Sequence, residues 1–165
     1  MVPYKELFIE LDRRKIEYLV AGGFAVNFHQ VQRATVDLDL IVHLERKNVL
    51  AFVEMVSHLG FKPRLPVDAK DFADAHKRKE WIEEKGMMVF SFIHPGNPFE
   101  VIDVFSQEPK PFQELAGRQL LVDAFGIKIR VIGKMDLIEM KDRAGRDKDL
   151  FDAAELRKLT GQESA

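Results

Sequence analysis

The run Val36-Asp37-Leu38-Asp39-Leu40-Ile41-Val42 constrains this chain more than any other segment. Its apolar residues read as a strand bound for a core, yet two carboxylates interrupt it, and a buried ionised carboxylate is costly unless something partners it. Side chains alternate along a strand, so Asp37 and Asp39 are expected on one face, roughly 6 to 7 Å apart at about 3.3 Å per residue. For the pair on its own two readings stay open. It either faces solvent on an edge strand, where alternation with Val36, Leu38 and Leu40 is ordinary, or its oxygens converge on a cation. Oxygen-only ligation with no cysteine or histidine pair nearby points to a hard ion: Mg2+, with Mn2+ as the alternative.

A second run, Phe99-Glu100-Val101-Ile102-Asp103-Val104-Phe105, places another aspartate among large apolar neighbours. Asp103 is therefore either a third carboxylate of the same site or a core aspartate held by an arginine or backbone amides. Gly22-Gly23 follows an apolar run and precedes an expected helix, a turn that lets a phosphate approach the backbone and the positive end of a helix dipole. Neither a GxGxxG fingerprint nor a GxxxxGK[ST] loop occurs, which counts against dinucleotide and P-loop chemistry.

Around these features the pattern alternates. Tyr4, Leu7, Phe8 and Leu11 fall at helical spacing, with Pro3 suited to a first turn. Residues 16–21 and 36–42 read as strands, 24–31 and 49–59 as helices. Residues 87–93 and 99–105 form one expected hairpin around a Pro- and Gly-containing loop, and 119–124 with 127–132 a second. Segments 134–143 and 147–159 read as helices broken near Gly145, and the charged stretch 68–85 is either an exposed helix or a connection. The expectation is an α/β (α+β) fold with a mixed central β-sheet flanked by helices. Its 165 residues, 46% hydrophobic, suit one domain over 1–165 with a helical C-terminal segment, 133–160.

Lys plus Arg total 25 against 27 Asp plus Glu, a net charge of -2, so any phosphate binding must come from a local cluster. Arg33, Lys141, Arg143, Arg146 and Lys148 are the candidates. Each has an ordinary alternative: Arg33 can pair with Asp37, while Lys148 with Asp152 and Asp142 with Arg146 fit i,i+4 helix pairs. No cysteine is present, which excludes disulfides and thiolate sites and fits a cytoplasmic location. The sequence indicates neither a secretory leader nor a membrane span. The five histidines lack ligand spacing, although His29, just after the glycine turn, is placed to face a ligand there. Trp81 reads as a half-buried anchor before a stacking lid.

In order, Leu19-Val20-Ala21-Gly22-Gly23, a helix, Arg33-Ala34-Thr35, the Asp37-Leu38-Asp39 step and Asp103 on a later strand resemble the nucleotidyltransferase superfamily that includes DNA polymerase beta and the aminoglycoside nucleotidyltransferases. Gly22-Gly23-Phe24-Ala25-Val26 and the ending Lys141-Asp142-Arg143-Ala144-Gly145-Arg146-Asp147-Lys148-Asp149-Leu150-x-Asp152 look like its small prokaryotic branch, which contains abortive-infection toxins of toxin-antitoxin systems. The resemblance implies a nucleotidyltransferase fold and Mg-dependent transfer of a nucleoside monophosphate from a nucleoside triphosphate to an acceptor hydroxyl. It implies Asp37, Asp39 and Asp103 as catalytic metal ligands, with Gly22, Gly23, Arg33, Lys141, Arg146 and Lys148 on the nucleotide. The acceptor stays open among RNA, protein and small molecule. So does the alternative of a silent nucleotide-binding or regulatory component with a cognate partner protein. One departure is plain: the serine that often follows the first glycine in the family is Gly23 here.

Overall fold

A computed structural model describes residues 4–163, so the expected start at Pro3 lies outside the described residues. Helix α1 (Lys5–Arg13) buries Leu7, Phe8 and Leu11, the stripe its spacing predicts. Strand β1 (Tyr18–Ala21) is buried along its whole length and runs straight into helix α2 (Gly22–Phe28), which begins at the glycines themselves. Strand β2 (Leu38–Val42) and helix α3 (Arg46–His58) follow, the helix capped by the Glu45 carboxylate on the amides of Lys47 and Asn48.

Strand β2 corrects the opening expectation. Its first residue is Leu38, so Asp37 lies on the exposed approach to the strand and does not share a strand face with Asp39. The cause is the neighbour: β1 pairs antiparallel with β2 and ends with Ala21 opposite Asp39, where the chain turns into α2. No β1 residue is left to face position 37. The approach is held instead by Tyr4, whose hydroxyl donates to the Val36 carbonyl at 2.8 Å and accepts the Val101 amide at 3.1 Å.

The two-residue strand β3 (Lys62–Pro63) and a 3-10 turn (Ala69–Ala73) lead to helix α4 (Ala75–Lys85). The undecided segment 68–85 is thus two short helical pieces capped by the Asp68 and Asp74 carboxylates. Trp81 stacks on Phe90, with ring centroids 5.4 Å apart, and is an anchor. Both expected hairpins form: β4 (Val89–His94) with β5 (Asn97–Phe105), and β6 (Leu120–Ala124) with β7 (Ile127–Val131). The short helix α5 (Phe112–Ala116) lies between them, and α6 (Lys134–Ala144) and α7 (Asp147–Glu163) close the chain.

The seven strands make one sheet in the order β3-β4-β5-β2-β1-β7-β6. Pairs β2/β5 and β1/β7 are parallel and the others antiparallel, the mixed sheet that alternating early and paired late elements imply. Phe52, Phe90 and Phe92 fill one side of the core, Phe92 meeting both others edge-on at 5.9 and 5.1 Å. Burial of each such ring stabilises the fold by about 1.5–3 kcal/mol. Among the described residues no helix is long and apolar enough to cross a membrane.

Candidate functional site

The central parallel pair sets the site. β2 and β5 run in register with Asp39 beside Asp103, and side chains at paired positions of parallel strands leave the sheet on the same side. Asp103 is on the next strand out, opposite Ser91 of β4, whose hydroxyl donates to its Oδ1 at 2.5 Å. That bond fixes one carboxylate oxygen and leaves the other available. Among the described residues neither an arginine nor a backbone amide holds Asp103, as a core aspartate would require.

Both carboxylates open into a cleft of about 570 Å³, which Asp37 also lines. Burial, then the neighbouring Asp103 and Asp37, push the Asp39 carboxyl up to about 7 against the opposing pull of Lys141 and Arg33. Asp37, Asp39 and Asp103, crowded on one side of the cleft, call for positive charge opposite. Gly22, with φ +60, brings the backbone against Asp39: a Cβ there would lie 2.6 Å from Asp39 Cγ and overlap its Oδ2. A Cβ on Gly23 would meet Arg33 Nη1 and Thr35 Oγ1, each at 2.6 Å. The space that a serine side chain would need is therefore already filled by a hydroxyl and a guanidinium from the loop before β2. Thr35 is a site residue that sequence reasoning quoted only as part of a motif.

The far wall is cationic. Lys141 on α6, with Arg33 and Arg146, joins the cleft lining, and Lys148 sits exposed at its rim. Two buried aspartates of α7 organise them. Asp152 Oδ2 stands 3.0 Å from Lys141 Nζ and 3.3 Å from Arg33 Nε, while Asp149 takes Lys141 at 3.3 Å and Arg146 Nε at 2.6 Å. The Asp149 carboxyl is raised by burial but held below the usual carboxylate range overall, because Arg146 and Lys141 outweigh that burial. Asp149 and Asp152 are the main residues the sequence reading missed.

Several expected pairings change. Arg33 pairs with Asp152, not Asp37. Asp152 meets Lys141 in place of Lys148, and Asp142 meets Arg157 in place of Arg146. Arg143 pairs with Glu139 at 3.2 Å. His29 does not face the cleft: its ring is buried and Nε2 donates to the Ile132 carbonyl at 2.8 Å.

No family model matches the sequence, and no curated protein matches it. Solved structures do. The lincosamide antibiotic adenylyltransferase LnuA, solved with lincomycin bound, superposes with a TM-score of 0.61 at 18% identity, over 94% of this chain and 97% of the other. The chain has the nucleotidyltransferase fold. An antigenic nucleotidyltransferase-like protein from Paracoccidioides brasiliensis matches this nucleotidyltransferase fold at TM-score 0.57 and 17% identity, over 93% of this chain and 73% of its own. ANT(2")-Ia, solved in complex with adenylyl-2"-tobramycin, matches at 0.54 and 15%, over 92% and 83%.

The donor set of this nucleotidyltransferase fold suits a divalent cation in a particular way. Among the described residues no three His, Asp or Glu groups stand close enough to enclose an ion by themselves. Magnesium is commonly held by one or two carboxylates with substrate phosphates and water completing its shell. Asp39 beside Asp103, with the Asp39 carboxyl held high by burial and then by like charge, fits such an open site.

Proposed function

We propose that this chain transfers a nucleoside monophosphate from a nucleoside triphosphate to an acceptor hydroxyl. The observation that carries the reading is the Asp39–Asp103 register with the Gly22 backbone packed on Asp39 and a cationic wall opposite, all in one cleft. Asp39 and Asp103 would hold a divalent cation, with Asp37 at the mouth. When bound, that ion supplies charge neutralisation for the phosphates and the leaving group. The backbone at Gly22 and Gly23, the Thr35 hydroxyl, Arg33, Lys141, Arg146 and Lys148 would orient and neutralise the triphosphate.

In the reaction the acceptor oxygen attacks the α-phosphorus, the bond from that phosphorus to the bridging oxygen breaks, and pyrophosphate leaves with the electron pair. The acceptor proton passes to a carboxylate of the cleft or to water. Catalysis here is mostly positioning and electrostatics, which is what a rigid pair of parallel strands and an ion-paired wall provide. A small hydroxylated acceptor is favoured over a nucleic acid, because the net charge of -2 gives no general attraction to a polyanion. The two antibiotic adenylyltransferases sharing the fold point the same way.

Calorimetric titration of each nucleoside triphosphate, with and without Mg2+, tests the reading on the parent and on Asp103→Asn. Metal-dependent binding lost in the variant supports it. No binding of any triphosphate by the parent would sink it. Binding without transfer of label from the triphosphate to a panel of hydroxylated small molecules and cell-extract components would favour a silent nucleotide-binding component.

A further inference from the structure

Just past the ends of the same two strands lies a second opening, of about 660 Å³, that shares no lining residue with the acidic cleft. It sits beyond the C-terminal ends of β2 and β5, the position where open parallel strands leave a crevice. Its walls contain two polar groups whose capacity the fold does not use. Arg78 of α4 is 7% exposed, and its guanidinium donates from Nη1 to the Phe72 carbonyl at 2.6 Å, with the Phe72 ring 5.8 Å away. Among the described residues no carboxylate stands within ion-pair distance of it. Ser106, just past β5, is 1% exposed, and among the described residues its hydroxyl has no hydrogen-bond partner. A buried guanidinium has five donors, and leaving them and a buried hydroxyl unmatched is costly unless something enters.

Glu108, two residues past Ser106 and on the same wall, is already committed. Glu108 accepts from the Leu44 amide at 2.8 Å, from His43 Nδ1 at 3.0 Å and from the Phe112 amide at 3.2 Å. Its two oxygens tie β2 to α5 and do not turn to Arg78. Leu44 and Ile82 give the same opening an apolar side.

We propose that this opening binds a small monocarboxylate, its carboxylate on the Arg78 guanidinium and the Ser106 hydroxyl and its apolar body on Leu44 and Ile82. The planar fork of arginine matches a carboxylate with two parallel hydrogen bonds. Glu45, Glu83 and Glu108 also line the opening, with Lys79 and the Glu108-paired His43 beside them, so a dianion such as inorganic phosphate meets more repulsion than a single carboxylate does.

Hexanoate is the probe and inorganic phosphate the comparison, each titrated calorimetrically and by amide NMR into the full chain. Hexanoate is expected to bind more tightly than phosphate and to shift the amides of Ser106 and Arg78 while leaving that of Asp39 in place. Arg78→Gln should weaken it about tenfold or more, the scale of a lost charge-assisted pair. Arg78 is buried, so that variant could fail to fold; Ser106→Ala keeps the proposal falsifiable. Removing an unmatched buried hydroxyl should raise the melting temperature of the free protein while weakening hexanoate several-fold. Absence of hexanoate binding by the parent, phosphate bound more tightly, shifts confined to the acidic cleft, or Ser106→Ala with undiminished affinity would each overturn it.

Discussion

Gly22 and Asp39 touch: the carboxylate of Asp39 occupies the space a side chain at position 22 would take. The contact couples backbone conformation to the chemistry of the site, since Gly22 also sits at φ +60. Gly22→Ala is therefore expected to cost more than the roughly 1 kcal/mol of a left-handed alanine, because Asp39 must move as well. Urea denaturation should show the larger loss. Triphosphate binding should fall alongside it, and an unchanged affinity would show that the Asp39 position does not matter.

At Gly23 the expectation is the opposite of a repair. Gly23→Ser would restore the residue common in the family, yet its Cβ would press on Arg33 and Thr35. We expect it to lower both stability and triphosphate affinity, and Thr35→Val to lower affinity with little loss of stability. Paired melting and titration curves for the two variants distinguish a filled hydroxyl position from a vacant one.

Asp39 makes metal-free stability depend on pH. Its carboxyl rises from 3.8 to about 7 on folding, so between those values the folded chain holds a proton that the unfolded chain has released. Stability accordingly falls as pH rises through that window, by on the order of a few kcal/mol in total. Thermal melts in chelator at about pH 5 and about pH 8 should show the drop, Asp39→Asn should flatten it, and Mg2+ at the higher pH should offset it. Parent and variant curves of the same slope would contradict this.

Asp152 holds Lys141 and Arg33 from a position 2% exposed. Asp152→Ala leaves those cations under-compensated and should destabilise the chain by about 3 kcal/mol, the scale of breaking a buried pair. Asp152→Asn should cost less, yet still loosen Arg33 and weaken triphosphate binding. The measurement is the ratio of affinity loss to stability loss across the two variants: a purely structural role would move stability alone.

Asp39 and Asp103 were legible because each breaks an apolar strand, and strand pattern alone brings Asp103 under suspicion. Its register with Asp39 was not legible, since nothing local says that β2 and β5 are parallel neighbours. The cationic wall was misread for a related reason. Sequence spacing pairs Lys148 with Asp152 and Asp142 with Arg146 as local i,i+4 neighbours, whereas α7 packs back onto α6 past the expected break at Gly145 and the pairs form across the helices. Two acids three residues apart inside a basic cluster, Asp149 and Asp152, were the available signal. The Arg78 opening left no trace in the sequence, because an arginine in a charged helix reads as surface until Phe72 buries it.

The ion-paired wall also dictates an order of events during synthesis. Asp37, Asp39 and Asp103 are all translated before α6 and α7, which carry Lys141 and the two aspartates that steady it. A nascent chain that stops short of α7 carries Arg33 and Lys141 beside its acids but lacks the two aspartates that steady those cations. Helix α7 is thus the late-made element that fixes the cations opposite the carboxylates of the cleft.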